Sequence, residues 1–150
     1  MFRILMPTDG SNGSLRAAEW AADKLCRQIA DAEVTVLYVK ELGLAGVDLG
    51  SEPRLVILPT SSDMQRRIDT ASDTALRAVA DVLRPTNRPV VLRTEWGRAS
   101  DVICKIANDE QFDVVVMGKR GLGIMGGILL GSVSDRVVHS CRVPVLTIHE

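Results

Sequence analysis

Glycine is concentrated in one short part of the chain. Half of the twelve glycines fall within residues 118–131, directly after an apolar run. Glycine lets backbone N–H groups approach a ligand closely, and a loop that leads into a helix adds the positive end of the helix dipole. The hydroxyls of Ser132 and Ser134 follow and could donate to the same ligand. This combination favours phosphate binding. A structural alternative stays open, in which Ser132 is only a helix N-cap and the glycines only provide flexibility.

Two common phosphate-binding motifs do not fit this stretch. Gly126, Gly131 and Ser132 have the outer spacing of a P-loop, but the lysine that follows the second glycine of that motif is absent. Residues 121–126 have the spelling of a dinucleotide fingerprint, yet no acidic residue follows about 20 residues later at a strand end. The stretch is therefore interpreted as a phosphate loop of another kind.

The hydrophobic pattern predicts the elements that must position this loop. Five short runs rich in Val, Ile and Leu predict buried strands at residues 2–7, 34–39, 90–94, 114–117 and 143–148. Apolar residues at spacings of three and four predict four helices, within residues 15–29, 62–83, 102–107 and 133–138. Ser11 or Asn12 is the expected cap of the first helix, and Ser62 with Gln65 forms a capping box for the second. Strands that alternate with helices predict a doubly wound α/β fold, with a parallel sheet and helices on both faces.

Residues 41–62 interrupt this alternation. Glycines and prolines recur in them without a helical period, at Gly43, Gly46, Gly50, Pro53 and Pro59. This composition predicts a long surface loop. Because a loop of this length is uncommon without a role, a lid and a disordered excursion both stay open.

Composition restricts the class of protein. The chain has 150 residues, 46% of them hydrophobic and 25% charged, with a formal net charge of -1. These values predict one globular domain over residues 1–150 and no nucleic-acid partner. The first apolar run is too short for a signal peptide and no run could span a membrane, so we expect a cytoplasmic protein. Cys26, Cys104 and Cys141 are odd in number and far apart, which favours three reduced core thiols over a disulfide.

One glycine pattern resembles a known family signature. Met117-Gly118-Lys119-Arg120-Gly121, nine further residues and then Gly131-Ser132-Val133-Ser134 are similar to the nucleotide signature of the ATP-binding universal stress proteins. The opening segment, residues 4–11, and the closing segment, residues 143–146, also resemble that family. The resemblance implies a five-stranded sheet in the order 3-2-1-4-5. It places a ligand crevice between the first and fourth strands, where the strand order reverses.

The resemblance also implies a set of binding residues. Pro7, Thr8 and Asp9 would border the adenosine, with Asp9 as a candidate ligand of Mg²⁺, and Val39 would meet the base. Met117 and Gly118 would line the opposite wall. The phosphates of ATP would be held by Gly121, Gly131, Ser132, Val133 and Ser134. The match in the second strand is weaker, because Val39 could be displaced by one position. Asp9 also has a structural alternative, as the Asx-turn residue that closes the first strand.

Binding is easier to predict than catalysis. Rapid phosphoryl transfer needs a positioned base or water, metal-bridged phosphates and a charge clamp. The sequence offers only Asp9, as a possible ligand of magnesium or water, so we expect slow hydrolysis at most. The first hypothesis is a regulatory module of the stress response whose conformation depends on ATP and which acts on an unknown protein partner. A weak ATPase or self-phosphorylating enzyme and a nucleotide-free interaction module are the alternatives. In the strand order that the resemblance implies, the apolar last strand at residues 143–148 lies at a sheet edge and predicts a homodimer through that edge. Cover of the edge by the chain's own loop at residues 41–62 stays open as the alternative.

Overall fold

The computed structural model describes residues 1–41, 62–119 and 130–149. Strands and helices alternate along the chain. The strands are β1 (Phe2–Pro7), β2 (Ala32–Lys40), β3 (Val90–Trp96), β4 (Val114–Gly118) and β5 (Val145–Ile148). The helices are α1 (Asn12–Ala21), α2 (Ser62–Leu83), α3 (Ala99–Asp109) and α4 (Ser132–Ser140). A π-helical turn (Ala22–Cys26) continues α1, and a short 3₁₀ turn (Arg84–Thr86) follows α2. Of the long loop predicted at residues 41–62, residues 42–61 lie outside the described residues, and Ser62 is the first residue of α2.

The strands form one parallel sheet in the order β3-β2-β1-β4-β5. The predicted fold class and strand order are confirmed. β1 is central, and Ile4 and Leu5 pair with Val34 and Thr35 of β2. On its other side, the same two residues pair with Val114 and Val115 of β4. The strand order therefore reverses between β1 and β4.

Alternate residues of the strands enter two separate cores, since successive side chains of a strand point to opposite faces. On one face, Ile4, Val34 and Val114 pack against α1 and α2. On the other face, Leu5 and Val115 pack against α3 and α4. Both faces of the inner strands are buried, which explains why these strands read as continuous apolar runs rather than as alternating patterns.

The helix ends agree with the sequence at α1 and differ at two other helices. Ser11 is the N-cap of α1, and its hydroxyl accepts a hydrogen bond from the backbone N–H of Ser14. The predicted capping box at Ser62 is not observed, because Ser62 already lies in the helix and the amide of Gln65 donates to Asp69. The N-cap of α4 is Gly131, so the alternative role of Ser132 as a cap is wrong.

The last strand is shorter than predicted. It begins at Val145 rather than at Val143. Pro144 precedes it and has no N–H to donate, while its carbonyl accepts from the N–H of Val115. Val143 instead packs against the core beneath α3 and α4. Apolar composition alone did not distinguish Val145, which pairs in the sheet, from Val143, which packs against the core in the preceding turn.

The expectation of three reduced thiols is wrong for two of them. Cys104 in α3 and Cys141, directly after α4, form a disulfide, with their Cα atoms 4.9 Å apart. The two residues are separated by 37 positions in the sequence, and only the packing of α3 beside α4 brings them together. Cys26 is free and fully buried.

None of the helices within the described ranges combines the length and the hydrophobicity that a membrane crossing requires.

Candidate functional site

A cleft opens at the carboxyl ends of β1 and β4, where the strand order reverses. Its volume is about 430 Å³, within the range of small-molecule sites. The helices that follow β1 and β4 in the described residues, α1 and α4, pack on opposite faces of the sheet, which leaves a gap between the two strand ends. Doubly wound folds bind ligands at such positions.

The cleft collects ten of the eleven predicted site residues. They come from the β1–α1 turn, the end of β2, the end of β4 and the start of α4. The residues are Pro7, Thr8, Asp9, Val39, Met117, Gly118, Gly131, Ser132, Val133 and Ser134. The eleventh, Gly121, lies outside the described residues. The predicted residues of the glycine signature and of the first strand therefore line the cleft, as far as they are described.

Six further residues line the cleft and were not predicted. They are Ser14, Leu37, Tyr38, Glu41, Ala99 and Ile103. Leu37 and Tyr38 precede Val39 on β2 and Glu41 directly follows the strand, so the predicted strand end already contained a signal for these three residues. Ala99 and Ile103 belong to the first turns of α3, which packs on the same face as α4. No local pattern marks these two residues, because only the packing of α3 brings them to the cleft.

Hydroxyl groups fix the turn between β1 and α1. The hydroxyl of Thr8 donates to Oγ of Ser14 at 2.9 Å, and the hydroxyl of Ser14 donates to the carbonyl of Ser11 at 2.8 Å. Both side chains are buried. Oδ1 of Asp9 accepts from the N–H of Ser11 at 3.0 Å, which is the geometry of an Asx turn. Asp9 thus closes the strand and also borders the cleft.

Gly118 at the end of β4 lies in close contact with the first turn of α1. A Cβ atom at this position would stand 2.6 Å from the carbonyl carbon of Gly13 and 2.7 Å from its oxygen. On its other side, the carbonyl of Gly118 accepts a hydrogen bond of 2.9 Å from the buried hydroxyl of Ser134. Because that hydroxyl has one hydrogen, Ser134 holds the end of β4 and does not present a donor to the cleft in this conformation.

With the Ser134 hydroxyl engaged, the other hydrogen-bond donors among the described residues at this end of the cleft belong to the first turn of α4. Gly131 is buried, whereas Ser132 is exposed in the first helical turn. The N–H of Gly131 donates to the carbonyl of Lys119 at 2.9 Å, which joins the two residues on either side of 120–130. Gly131 has a φ of -63°, which any residue can adopt. The backbone conformation at residue 131 therefore does not require glycine.

Polar contacts hold the carboxyl end of β2 against its neighbours. Nζ of Lys40 lies 2.8 Å from Oδ1 of Asp69 on α2, and this hydrogen bond keeps the pKa of the Asp69 carboxyl below its ordinary value. The same ammonium group lies over the ring of Trp96, 5.7 Å from its centroid. On the cleft side, the carboxylate of Glu41 accepts from the N–H of Ala99 at the start of α3.

A family model describes nearly the whole chain. Residues 1–149 match the model of the universal stress protein family. The chain belongs to that family. A universal stress protein of Thermus aquaticus is 33% identical over 149 residues, and the alignment covers 99% of both chains. The predicted family is confirmed.

Solved structures of other universal stress proteins share the fold. An Arabidopsis thaliana family member with AMP bound superposes with a TM-score of 0.69 at 20% identity, covering 100% of this chain and 92% of that one. A universal stress protein from Archaeoglobus fulgidus in complex with dAMP has a TM-score of 0.69 at 16% identity, covering 99% and 98% of the two chains. At these identities the likeness concerns the fold.

This universal stress protein has no preformed metal cage in residues 1–41, 62–119 and 130–149. No group of three His, Cys, Asp or Glu side chains in those ranges is arranged to hold a metal ion. Mg²⁺ is commonly held by one or two carboxylates together with substrate phosphates and water. Asp9 is a carboxylate at the cleft, so a metal that arrives with a nucleotide fits this donor set.

The contact between Gly118 and Gly13 predicts a loss of stability in Gly118→Ala. The added methyl group meets backbone atoms of α1, which move only with the whole helix, and we expect the free energy of unfolding to fall by about 1–3 kcal/mol. Urea denaturation of the purified variant measures this change. Ser132→Ala, an exposed substitution at the same cleft, is the control and should leave the free energy of unfolding within about 0.5 kcal/mol of that of the original protein. An unchanged midpoint for Gly118→Ala would contradict the close packing.

Proposed function

We propose that this protein binds ATP together with Mg²⁺ in the cleft and acts as a nucleotide-dependent regulatory module. The observation that carries the proposal is the position of α4, whose first turn opens into the cleft beside the close-packed backbone of Gly118. The structural neighbours with bound AMP and dAMP support an adenine nucleotide as the ligand. In this proposal the triphosphate lies at α4 and the adenosine lies towards β2.

Among the described residues that line the cleft, the proposed phosphate end offers backbone groups and no cationic side chain. The free N–H groups of a first helical turn and the helix dipole both favour an anion. Ser132 is exposed at this turn and adds a hydroxyl donor. Ser134 acts indirectly, since its hydroxyl holds the carbonyl of Gly118 away from the phosphates. Gly121 would complete the loop, as the glycine signature implies.

The other end of the cleft suits a nucleobase. Apolar side chains of Val39, Ile103 and Met117 line it and offer a surface for a flat ring. Pro7 and Thr8 lie between this surface and the start of α1. An apolar base site followed by a helix N-terminus matches the division of ATP into an uncharged and a charged part.

The first functional test concerns the phosphate end. Gly131→Val should abolish ATP binding while the protein stays folded, because the branched side chain occupies the phosphate approach and the φ of Gly131 permits it. Ser132→Ala should weaken binding roughly tenfold, as expected for one hydrogen bond to a charged group. Isothermal titration calorimetry with Mg-ATP measures both effects.

Ser140→Ala is the matched control for this experiment. It removes an exposed hydroxyl from the opposite end of α4 and should leave the affinity unchanged. Unaltered ATP affinity in a folded Gly131→Val protein would show that the phosphates are held elsewhere.

The second functional test separates the metal role of Asp9 from its role in the turn. Asp9→Asn keeps an oxygen that can accept from Ser11 but loses the negative charge. We expect it to weaken Mg-ATP binding by roughly 1–3 kcal/mol. Without Mg²⁺ the same variant should bind ATP at least as well as the original protein, because a negative charge near the triphosphate has been removed. Calorimetry with and without Mg²⁺ measures the two affinities.

Asp9→Ala serves as the comparison, since it loses both the charge and the turn hydrogen bond. It should be less stable than Asp9→Asn in urea. If Asp9→Asn binds Mg-ATP normally and only Asp9→Ala is altered, Asp9 is a turn residue and not a metal ligand.

We also propose a homodimer formed through β5. This strand lies at one edge of the sheet, and its residues are half-buried in the single chain. The carbonyls of Pro144 and Ile148 point to β4, so the N–H and C=O groups of Val145 and Thr147 point outward. An antiparallel second copy would pair with these groups across a two-fold axis. Because α4 leads directly into β5, nucleotide at the start of α4 could alter this interface and the partner proteins that it admits.

Thr147→Pro tests the dimer by removing one backbone N–H group. Proline removes the outward N–H of residue 147 and leaves the bonds from β5 to β4 in place. Multi-angle light scattering at micromolar concentration should give twice the chain mass for the original protein and the chain mass for the variant. Thr147→Val keeps the N–H and should remain dimeric. The proposal fails if the original protein has the mass of one chain.

A further inference from the structure

A disulfide connects the two helices that form one wall of the cleft. Cys104 belongs to α3, and Cys141 is the C-cap of α4. Sγ of Cys104 also lies 3.9 Å from the carbonyl of Val137, which accepts the backbone N–H of Cys141. The sulfur of Cys104 is thus packed against the last turn of α4. The bond joins side chains from separate elements and fixes one helix against the other.

Both helices extend from this bond to the cleft. Ile103, the residue before Cys104, lines the cleft, as does Ala99 one turn earlier. α4 has only nine residues, and its first turn, with Ser132 and Val133, lines the same cleft. A helix of two to three turns moves as a rigid unit. The disulfide at Cys141, the C-cap of α4, therefore limits the movement of the first turn of this helix.

The three cysteines differ in access to solvent. Cys26 has no exposed surface, and burial raises the pKa of its thiol, so it is a poor nucleophile. Cys104 is 7% exposed, whereas Cys141 is half-buried at the surface. A small thiol reagent would therefore reach Cys141 first, and Cys104 is positioned to react with the product.

We propose that Cys104 and Cys141 form a reversible thiol–disulfide site that reacts with low-molecular-weight disulfides, and that closing the bond increases the affinity of the cleft for nucleotide. The second half rests on the function proposed above. In a reducing compartment the two residues would be thiols for most of the time, and disulfides that form there are usually transient and redox-sensing.

The reaction is a two-electron exchange with a disulfide such as oxidised glutathione. The thiolate of Cys141 attacks one sulfur of the glutathione disulfide, and one glutathione thiolate leaves. The thiolate of Cys104 then attacks Sγ of Cys141 in the mixed disulfide, and the second glutathione thiolate leaves. The two cysteines are oxidised and glutathione disulfide is reduced to two thiols. The protons released by the cysteines are taken up by the glutathione thiolates, directly or through buffer.

We expect oxidation to raise the affinity because a ligand loses less binding free energy when the cleft is already ordered. A ligand between α3 and α4 must hold both helices in one arrangement, and that loss of freedom reduces its affinity. The disulfide imposes the constraint before the ligand arrives. We expect the oxidised protein to bind Mg-ATP at least about fivefold more tightly than the reduced protein, a modest value for coupling between two sites.

The experiment uses the full chain after reduction with dithiothreitol and, separately, after oxidation with glutathione disulfide. Thiol titration of the denatured samples should find three thiols in the reduced protein and one in the oxidised protein. Calorimetry with Mg-ATP then gives the dissociation constant of each state, and circular dichroism confirms that both are folded. A change in the dissociation constant at constant stoichiometry separates coupling from partial unfolding.

Matched variants assign the effect to this pair. Cys26→Ser should retain the full difference between the two states. Cys104→Ser/Cys141→Ser should bind with the affinity of the reduced protein under both treatments. Three titratable thiols after oxidation, or equal dissociation constants in the two states, would overturn the proposal. Absence of Mg-ATP binding in both states would contradict the proposed function and the coupling, while the thiol count would still decide whether the pair is a modification site.

Discussion

The cleft depends on the contact between the backbone of Gly118 and the first turn of α1. A side chain at this position would collide with Gly13, so β4 can approach α1 only because residue 118 has no Cβ atom. Ser134 then fixes the same residue from the opposite side through a hydrogen bond to its carbonyl. One residue thus brings together the end of β4, the start of α1 and the start of α4. The cleft at the strand reversal exists because these three backbones meet there.

The sequence predicted most of the fold because the inner strands are buried on both faces. A run such as residues 114–117 must be apolar at every position when helices cover the sheet on both sides, and this requirement is visible without a structure. Ends of elements were less certain, since Val143 is as apolar as Val145 yet lies outside the strand. The Cys104–Cys141 bond was not predictable by this reasoning, because it depends on how α3 packs beside α4.

Some residues of the candidate site were likewise predictable from the sequence, and others were not. Residues in the glycine signature were predictable because their local chemistry marks them, whereas those in the β1–α1 turn were predicted from the resemblance to the universal stress proteins. The role of Ser134 was not, since its sequence position suggests a phosphate donor while its buried hydroxyl donates to Gly118. Ala99 and Ile103 carry no local mark and reach the cleft through packing alone. Sequence patterns therefore located segments of the chain that line the cleft, but neither the hydrogen-bond partner of Ser134 nor the residues that packing brings there.

The chemistry of the cleft favours binding over catalysis. Among the described residues, the donors at the start of α4 are backbone N–H groups and the hydroxyl of Ser132, which can stabilise an anion but do not act as bases. Asp9 is the one carboxylate of the β1–α1 turn that borders the cleft, and Oδ1 already accepts from Ser11. The same backbone groups belong to elements that also form the two cores. In the proposed function a ligand held by them would contact α1, β4 and α4 together, and its binding would act through the arrangement of these elements.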